Sequence, residues 1–236
     1  MFKSNKLPVI IFIIVIAIFV IRMSLVRQPQ IEEELRGKNG MLLTEVDISV
    51  CDPASGKFSS IINNPFFYYP VGKIVTLEGE GFKVQISSLD KTELVDGIET
   101  RVIEEKEWKK GELSEISLNY YAQVPDGTVC YFGEAVDIYE KGEITVHDGS
   151  WRADEKSNKP GIIMTAGPGV GETYQQEVAP GVAEDRAEHI GLGQSFTTKA
   201  GTFADVLVVE ETPPSTKRYA RGIGLIFDDG AELTSY

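Results

Sequence analysis

The feature that most constrains the fold is an alternation of apolar and polar residues that begins near Lys73 and continues towards the C-terminus. Phe82, Val84 and Ile86 alternate with polar residues, and the same period of two recurs over residues 116–122. A period of two sends successive side chains to opposite faces of a strand, so each segment has one face to bury. The pattern therefore predicts β-strands rather than amphipathic helices.

Turn signals separate the predicted strands at about every 14 to 18 residues. They are Gly79-Glu80-Gly81, Asp96-Gly97, Lys110-Gly111, Pro125-Asp126-Gly127 and Lys141-Gly142. This spacing leaves strands of about 8 to 11 residues and no room for helical crossovers, which favours antiparallel pairing in chain order. We expect a mainly all-β domain, in which a long-stranded meander curls into a half-barrel or a barrel to bury its apolar face.

The N-terminus carries a membrane-targeting segment. An apolar run over residues 7–21 has lysines before it and arginines after it. Fifteen helical residues span about 22 Å, against about 30 Å for a hydrocarbon core, so length alone leaves a cleaved signal and an uncleaved anchor open. The run lacks the small residues of a cleavage site, which favours a transmembrane signal-anchor over residues 7–26 behind a cytoplasmic N-terminus at residues 1–6.

The remaining chain divides into a tether and a domain. Residues 27–62 are mostly polar and predict a tether that leads into the domain, and residues 63–236 predict an extracytoplasmic β domain. The bulk of the chain would thus be periplasmic or extracellular in a single-pass membrane protein; secretion after signal cleavage is the alternative. Four aromatics at residues 66–69 are predicted to plug an open end of the sheet, or else to form a stacking platform for a ligand.

Charge and cysteine content narrow the partners. The formal net charge is −13, with 36 acidic residues, so nucleic acid is excluded as a partner. Cys51 and Cys130 are the only cysteines, and in an exported protein they are candidates for a disulfide. Because the chain has no C-x-x-C, zinc-ribbon and thioredoxin-like chemistry are not expected.

Catalytic and metal-binding patterns are weak. Only His147 and His189 could act as a histidine base, and no G-x-S-x-G is present, so a hydrolase triad is not expected. Glu184, Asp185 and Glu188 form a flexible acidic segment that could bind calcium, although the spacing is not that of an EF-hand. No other cofactor is indicated. Paired carboxylates would support glycoside hydrolysis only if two of them faced each other across a cleft.

The irregular stretch over residues 149–188 is the predicted location of a ligand site. Trp151, Met164 and Tyr174 lie in it, and Tyr121 and Tyr131 lie on nearby predicted strands. In a closed barrel these side chains would form core. In an open half-barrel they would line an apolar cavity able to hold an acyl chain or another hydrophobic ligand, with the glycine-rich stretch as a rim or lid.

A family resemblance supports the same fold. Residues 199–209, followed by residues 219–226, resemble the closing strands of exported curved-sheet proteins, including half-barrels related to lipoprotein carriers. The wider pattern, with Asn64-Pro65-Phe66, Tyr131-Phe132-Gly133-Glu134 and Gly149-Ser150-Trp151, is similar to a family of uncharacterised bacterial secreted proteins. The resemblance implies a curved antiparallel sheet and export, and it implies no activity.

Three hypotheses follow for function. The first is a membrane-anchored extracytoplasmic module without catalysis, which binds a lipid, another hydrophobic small molecule or an envelope protein. The second is a calcium-dependent adhesion or carbohydrate-binding module. The third is a carboxylate-based hydrolase, and an enzyme is less favoured than a binding module.

Overall fold

Strands dominate the computed structural model, which describes residue 40 and residues 42–236. The predicted cytoplasmic N-terminus at residues 1–6, the predicted signal-anchor at 7–26 and residues 27–39 of the predicted tether lie outside the described residues. Within the described part of the chain, no helix is both long enough and apolar enough to span a membrane.

The described elements confirm the all-β class. Two short 3-10 turns lie at Ile48–Cys51 and Pro53–Ser55. The strands are β1 (Thr44–Glu45), β2 (Ile74–Gly79), β3 (Phe82–Val95), β4 (Ile98–Lys109), β5 (Glu112–Gln123), β6 (Val129–Glu140), β7 (Glu143–Val146), β8 (Trp151–Arg152), β9 (Gly161–Met164), β10 (Glu172–Gln175), β11 (Arg186–Thr198), β12 (Gly201–Thr212), β13 (Ser215–Ala220), β14 (Gly224–Asp228) and β15 (Ala231–Ser235).

The strands form one sheet in the order β1-β10-β11-β12-β13-β14-β15-β2-β3-β4-β5-β6-β7. The pairing of β1 with β10 is parallel, and all the other pairings between named strands are antiparallel. The sheet therefore consists of two meanders, a first arm (β2–β7) and a second arm (β10–β15), which join where β15 pairs with β2. The predicted sequential antiparallel meander is confirmed.

Two-residue turns explain why the strands are longer than predicted. Asp96 and Gly97 have φ values of 49° and 75°, and Lys110 and Gly111 have values of 55° and 84°. Two consecutive positive φ angles are typical of the type I′ turn, whose twist matches that of the strands it joins. Because these turns use so few residues, the residues on either side of them join the paired strands. β3 therefore extends to 14 residues.

The sheet is not closed into a barrel, so the closed-barrel alternative is wrong. The outermost strands are β1 and β7, which do not pair with each other. The short strands β8 and β9, from the irregular stretch, pair with β6 in the positions that β10 would need to occupy. β9 and β10 form no ladder with each other in the described sheet; beside them, the Lys159 amide donates to the Val178 carbonyl at 2.9 Å in an isolated bridge.

The core lies on the inward face that both arms share. Phe66, Phe67 and Tyr69 are buried in it. Asn64 holds this aromatic segment in place, since its Oδ1 accepts from the amides of Phe66 and Phe67 at 2.9 and 3.1 Å. The four aromatics thus lie mainly in the core, with Tyr68 half-buried.

Residues before position 63 also belong to this unit, which extends from Thr44 to Tyr236. Ile62 is buried, and Cys51 forms a disulfide with Cys130 of β6, with their Cα atoms 5.7 Å apart. The disulfide fixes the first 3-10 turn against the sheet. Part of the segment that the sequence assigns to the tether therefore packs as domain.

Candidate functional site

A cavity of about 180 Å³ lies between the two arms. Its walls come from β4, β5 and β6 of the first arm, from β12 and β13 of the second arm, and from the irregular stretch. We call its charged lining the acid cup, which consists of Glu105, Glu115, Glu134, Glu177, Asp185, Glu211 and Lys217. The remaining lining residues are Ser117, Asn119, Tyr121, Tyr131, Ile163 and Gln176.

Strand register places these side chains on one face. Glu105 of β4 pairs with Ser117 of β5, and Asn119 and Tyr121 follow Ser117 at intervals of two. Along this row of inward positions the residues change from polar to aromatic. The inner face of the sheet is therefore apolar at one end and acidic at the other.

A β-bulge brings Tyr131 and Glu134 to the same face. Tyr121 pairs with Tyr131, while Tyr120 pairs with Gly133, so Phe132 is an extra residue in β6. Without the bulge, residues three apart would point to opposite faces. Because of it, Glu134 pairs with the inward residue Asn119 and reaches the cavity.

Hydrogen bonds order the polar lining. The Tyr131 hydroxyl donates to Asn119 Oδ1 at 2.6 Å, and Asn119 Nδ2 donates to Ser117 Oγ at 2.9 Å. On the second arm, Gln176 Nε2 donates to Glu211 Oε1 at 2.9 Å. Side chains that pack and hydrogen-bond in this way hold a preformed surface.

Lys217 neutralises one side of the acid cup. Its Nζ lies 3.0 Å from Glu211 Oε2. Burial disfavours the ammonium form, but the carboxylates of Glu211 and Asp228 outweigh it and hold the pKa of Lys217 well above its ordinary value. The ammonium is therefore charged throughout the physiological pH range.

Three carboxyl groups titrate near neutral pH. Burial raises the pKa of Glu105 to about 8, although Lys217 partly opposes the shift. Burial and the charge of Glu177 raise the pKa of Glu134 to about 8, and burial and the charge of Asp185 raise the pKa of Glu177 to about 7. Near pH 7 the cavity thus contains protonated carboxyl groups, which both donate and accept hydrogen bonds.

Three carboxyl groups of the acid cup have no ion-pair partner in the described part of the chain. None of Glu134, Glu177 and Asp185 forms an ion pair with a basic side chain of the described residues. Burial, followed by the charge of Glu211, also raises the pKa of Asp185. The charge of Lys217 partly opposes the rise in the pKa of Glu177 and of Asp185, but its direct ion pair is with Glu211.

An aromatic wall adjoins these carboxyl groups. The rings of Tyr121 and Tyr131 stack with centroids 4.7 Å apart, and Trp151 meets Tyr131 edge-on at 5.3 Å. Trp151 is 2% exposed, and its Nε1 is buried without a hydrogen-bond partner among the described residues. The same indole faces Glu177 and lowers the pKa of that carboxyl, against the larger effect of burial.

The structure separates the five predicted ligand-binding residues into two groups. Tyr121 and Tyr131 line the cavity, and Trp151 packs directly against Tyr131. Met164 and Tyr174 are fully buried in the core instead, away from the cavity wall. The aromatics that reach the cavity share it with carboxyl groups, so its lining is predominantly polar.

The three predicted calcium ligands do not converge. Asp185 lines the cavity, whereas Glu184 is exposed and accepts from the Gly181 amide at 3.3 Å. Glu188 lies on β11 between buried Ala187 and His189, and therefore on the opposite face. Within the described residues, no group of three or more His, Cys, Asp or Glu side chains is placed to hold a metal ion.

Both histidines lie outside the cavity lining. His147 is exposed, and its Nδ1 lies 2.8 Å from Asp137 Oδ1. His189 is fully buried, and its Nε2 lies 3.0 Å from the Tyr174 hydroxyl. Neither position supplies a base to the acid cup.

Sequence reasoning missed most of the acid cup. Glu105, Glu134, Glu211 and Lys217 appear in the sequence as ordinary charged residues of a strongly acidic chain. A usable signal was present for Lys217, which precedes buried Tyr219 by two residues and so shares its face. No such signal existed for Glu134, because the bulge in β6 decides which face of the sheet its side chain points to.

Comparisons with protein-family models, curated proteins and solved structures found no match for this chain. The resemblance to lipoprotein carriers therefore contributes nothing to the argument for function. That argument depends on the cavity alone.

Proposed function

We propose that this protein is a membrane-anchored, extracytoplasmic binding module without catalysis, and that the acid cup of its open half-barrel is the ligand site. The observation that carries the proposal is the convergence of six carboxyl groups, one lysine and two tyrosines, from both arms, on one cavity. Residues from distant parts of the chain converge in this way at binding sites.

The lining favours a small polar ligand over an acyl chain. An apolar ligand would remove water from the carboxyl groups without replacing its hydrogen bonds, which costs several kcal/mol for each polar group. The volume of about 180 Å³ lies below the roughly 300–1,000 Å³ of sites for drug-sized molecules. We therefore favour a ligand of a few heavy atoms with hydrogen-bonding groups.

Two observations support location outside the cytoplasm. The Cys51–Cys130 disulfide is of a kind that persists in oxidising compartments. The apolar run over residues 7–21 provides a targeting segment. The calcium-dependent alternative gains no such support, because its predicted ligands do not converge.

Thermal-shift measurements on the full chain test the cavity as a binding site. The probes are 1,4-diaminobutane, 1,4-butanediol, glucose, acetate and decanoate. We expect at least one polar probe to raise the melting temperature, and the effect to disappear when Ser117→Phe fills the cavity.

The matched control is Thr145→Phe on the exposed edge strand β7, which should keep the wild-type response. The proposal fails if only decanoate stabilises the protein, if no probe does, or if a polar probe stabilises the Ser117→Phe variant equally.

A second candidate function is carboxylate-based glycoside hydrolysis. This chemistry requires a protonated acid beside an ionised carboxylate, and the cavity brings together several carboxyl groups, among which burial raises the pKa of Glu134 to about 8. Assays with 4-nitrophenyl glycosides test it, and activity should fall at least about 100-fold in Glu134→Gln. The absence of turnover with any glycoside of the set would argue against an enzyme of this class.

A further inference from the structure

Lys217 shows how this cavity accommodates positive charge. Its ammonium lies 3.0 Å from Glu211, and the charges of Asp228 and Glu105 also stabilise it. These carboxyl groups come from β12, β14 and β4, so the built-in cation links strands of both arms. The arrangement is stable because the buried charges compensate one another.

The other half of the acid cup has carboxyl groups of the same kind, and the charge of Lys217 reaches two of them, but no basic side chain of the described residues pairs with them directly. Glu134 comes from β6, and Glu177 and Asp185 come from the irregular stretch and its junction with β11. The amides of Gln176 and Glu177 both donate to the Asp185 carbonyl, at 2.8 and 3.3 Å, which fixes two of these carboxyl-bearing residues side by side. None of the three forms an ion pair with the described residues.

A buried donor faces the same place. The Trp151 ring is almost completely buried and its Nε1 forms no well-aligned hydrogen bond among the described residues, but the acceptor beside it is Glu177, whose pKa this N–H lowers. Buried donors in folded proteins are nearly always satisfied. A ligand that keeps Glu177 ionised would strengthen it as the acceptor for this indole N–H.

Resting on the proposal that the acid cup is the ligand site, we propose that its ligand is a small organic amine, whose ammonium group lies among Glu134, Glu177 and Asp185. The stacked rings of Tyr121 and Tyr131 line the adjoining wall, where they can contact the methylene groups and the cation. An organic cation suits this arrangement better than a metal ion, because no three His, Cys, Asp or Glu side chains of the described residues are placed to hold a metal and an aromatic wall adjoins the carboxyl groups.

Amine binding should also release protons. Glu134 and Glu177 hold protons near neutral pH, and a cation that binds beside them lowers their pKa and so releases these protons. The charged and titratable groups that influence Glu134 are Glu177, Tyr131, Glu115 and Glu105. Those that influence Glu177 are Asp185, Lys217 and Glu211.

Calorimetry on the full chain in detergent tests the proposal with 1,4-diaminobutane and 1,4-butanediol, which differ in their ammonium and hydroxyl groups. We expect the diamine to bind at least about ten-fold more tightly than the diol. The observed binding enthalpy at pH 7.5 should differ between phosphate and Tris buffers, because the buffer takes up the released protons.

Substitutions locate the ammonium. Glu134→Gln and Glu177→Gln should each weaken diamine binding at least about ten-fold and reduce the number of protons released. Glu143→Gln on exposed β7 should leave both quantities unchanged. Comparable binding of diamine and diol to the wild type would overturn the inference even if a variant failed to fold.

The two proposals fail separately. If the diol or glucose binds, and this binding is lost in Ser117→Phe while the diamine does not bind, the amine inference is wrong and the binding module remains. If none of the polar probes, acetate included, binds to the wild type, both are wrong.

Discussion

At the scale of single residues, the carboxyl groups of the acid cup control how stability depends on pH. Glu134 has a folded-state pKa of about 8, well above the value of about 4.5 for the same group in solution, chiefly because of burial. The folded protein therefore binds this proton more tightly than the unfolded chain does. The resulting stabilisation is complete below the unfolded pKa and is lost as the pH rises through the folded pKa.

We expect Glu134→Gln to flatten the decline in stability between pH 5 and pH 8. At pH 8 the variant should be more stable than the wild type by about 1–2 kcal/mol, because an amide cannot ionise inside the cavity. Urea unfolding at intervals of one pH unit measures this difference. Glu143→Gln serves as the exposed control and should follow the wild-type curve; identical curves for Glu134→Gln would contradict the assignment.

At the scale of elements, the bulge in β6 decides what faces the cavity. Gly133 has a φ of 134°, and a Cβ at this position would collide with the carbonyl oxygen of Trp151. Glycine is thus required both by its backbone conformation and by the close approach of β8. Gly133 therefore links the alternation of side chains along β6 to the placement of Trp151.

We expect Gly133→Ala to destabilise the domain by about 2–4 kcal/mol, since strain at a positive φ adds to the collision with β8. Urea unfolding measures the loss, and the change in Trp fluorescence reports any movement of Trp151. Gly97→Ala is the matched control, because Gly97 also has a positive φ but has open space around it. Equal destabilisation by the two substitutions would show that the contact with β8 contributes nothing.

The sequence predicted strands and turns more accurately than it predicted the cavity. The alternation of Val84 and Ile86 with polar residues correctly predicted an inward face, and both side chains are buried. The dipeptides Asp96-Gly97 and Lys110-Gly111 correctly predicted the turns after β3 and β4. Glu134 was missed for a physical reason, because a bulge changes the phase of a strand without changing the residue types that mark it.

Long-range packing was likewise beyond the sequence pattern. Glu105 and Glu211 share the cavity although they are far apart in the chain, and nothing in the local pattern of either strand indicates that they meet. The openness of the sheet was also ambiguous, because it depends on how β8 and β9 pair with β6.

At the scale of the whole molecule, the disulfide connects the N-terminal part of the domain to the first arm. Cys51 and Cys130 are 79 residues apart, and closing a loop of this length in the unfolded chain contributes about 4 kcal/mol in the chain-entropy treatment. We expect the Cys51→Ala/Cys130→Ala double variant to lose stability of that order in urea unfolding. Reduction of the wild type should produce a similar loss, whereas a reductant that leaves the melting curve unchanged would contradict a stabilising role.

Export, which we propose, also belongs to the scale of the whole molecule. Alkaline phosphatase folds to its active form only outside the reducing cytoplasm, so a fusion after residue 40 reports the side of the membrane. We expect an active fusion that sediments with membranes and resists carbonate extraction. Release of the fusion into the soluble fraction would favour signal cleavage, and an inactive fusion would contradict export.

The way the sheet ends has a consequence for self-association. An open sheet exposes backbone donors and acceptors along its outer strands, which invites strand addition by another molecule and aggregation. Here the outer strands of the described sheet are β1, with two residues, and β7, with four that include Glu143. Both are shorter than the usual five to six or so residues of a strand. These two outermost strands thus offer other chains little backbone to extend, whereas β10 pairs with β11 only at Arg186–Glu188 and leaves the rest of β11 without a ladder on that side among the described strands.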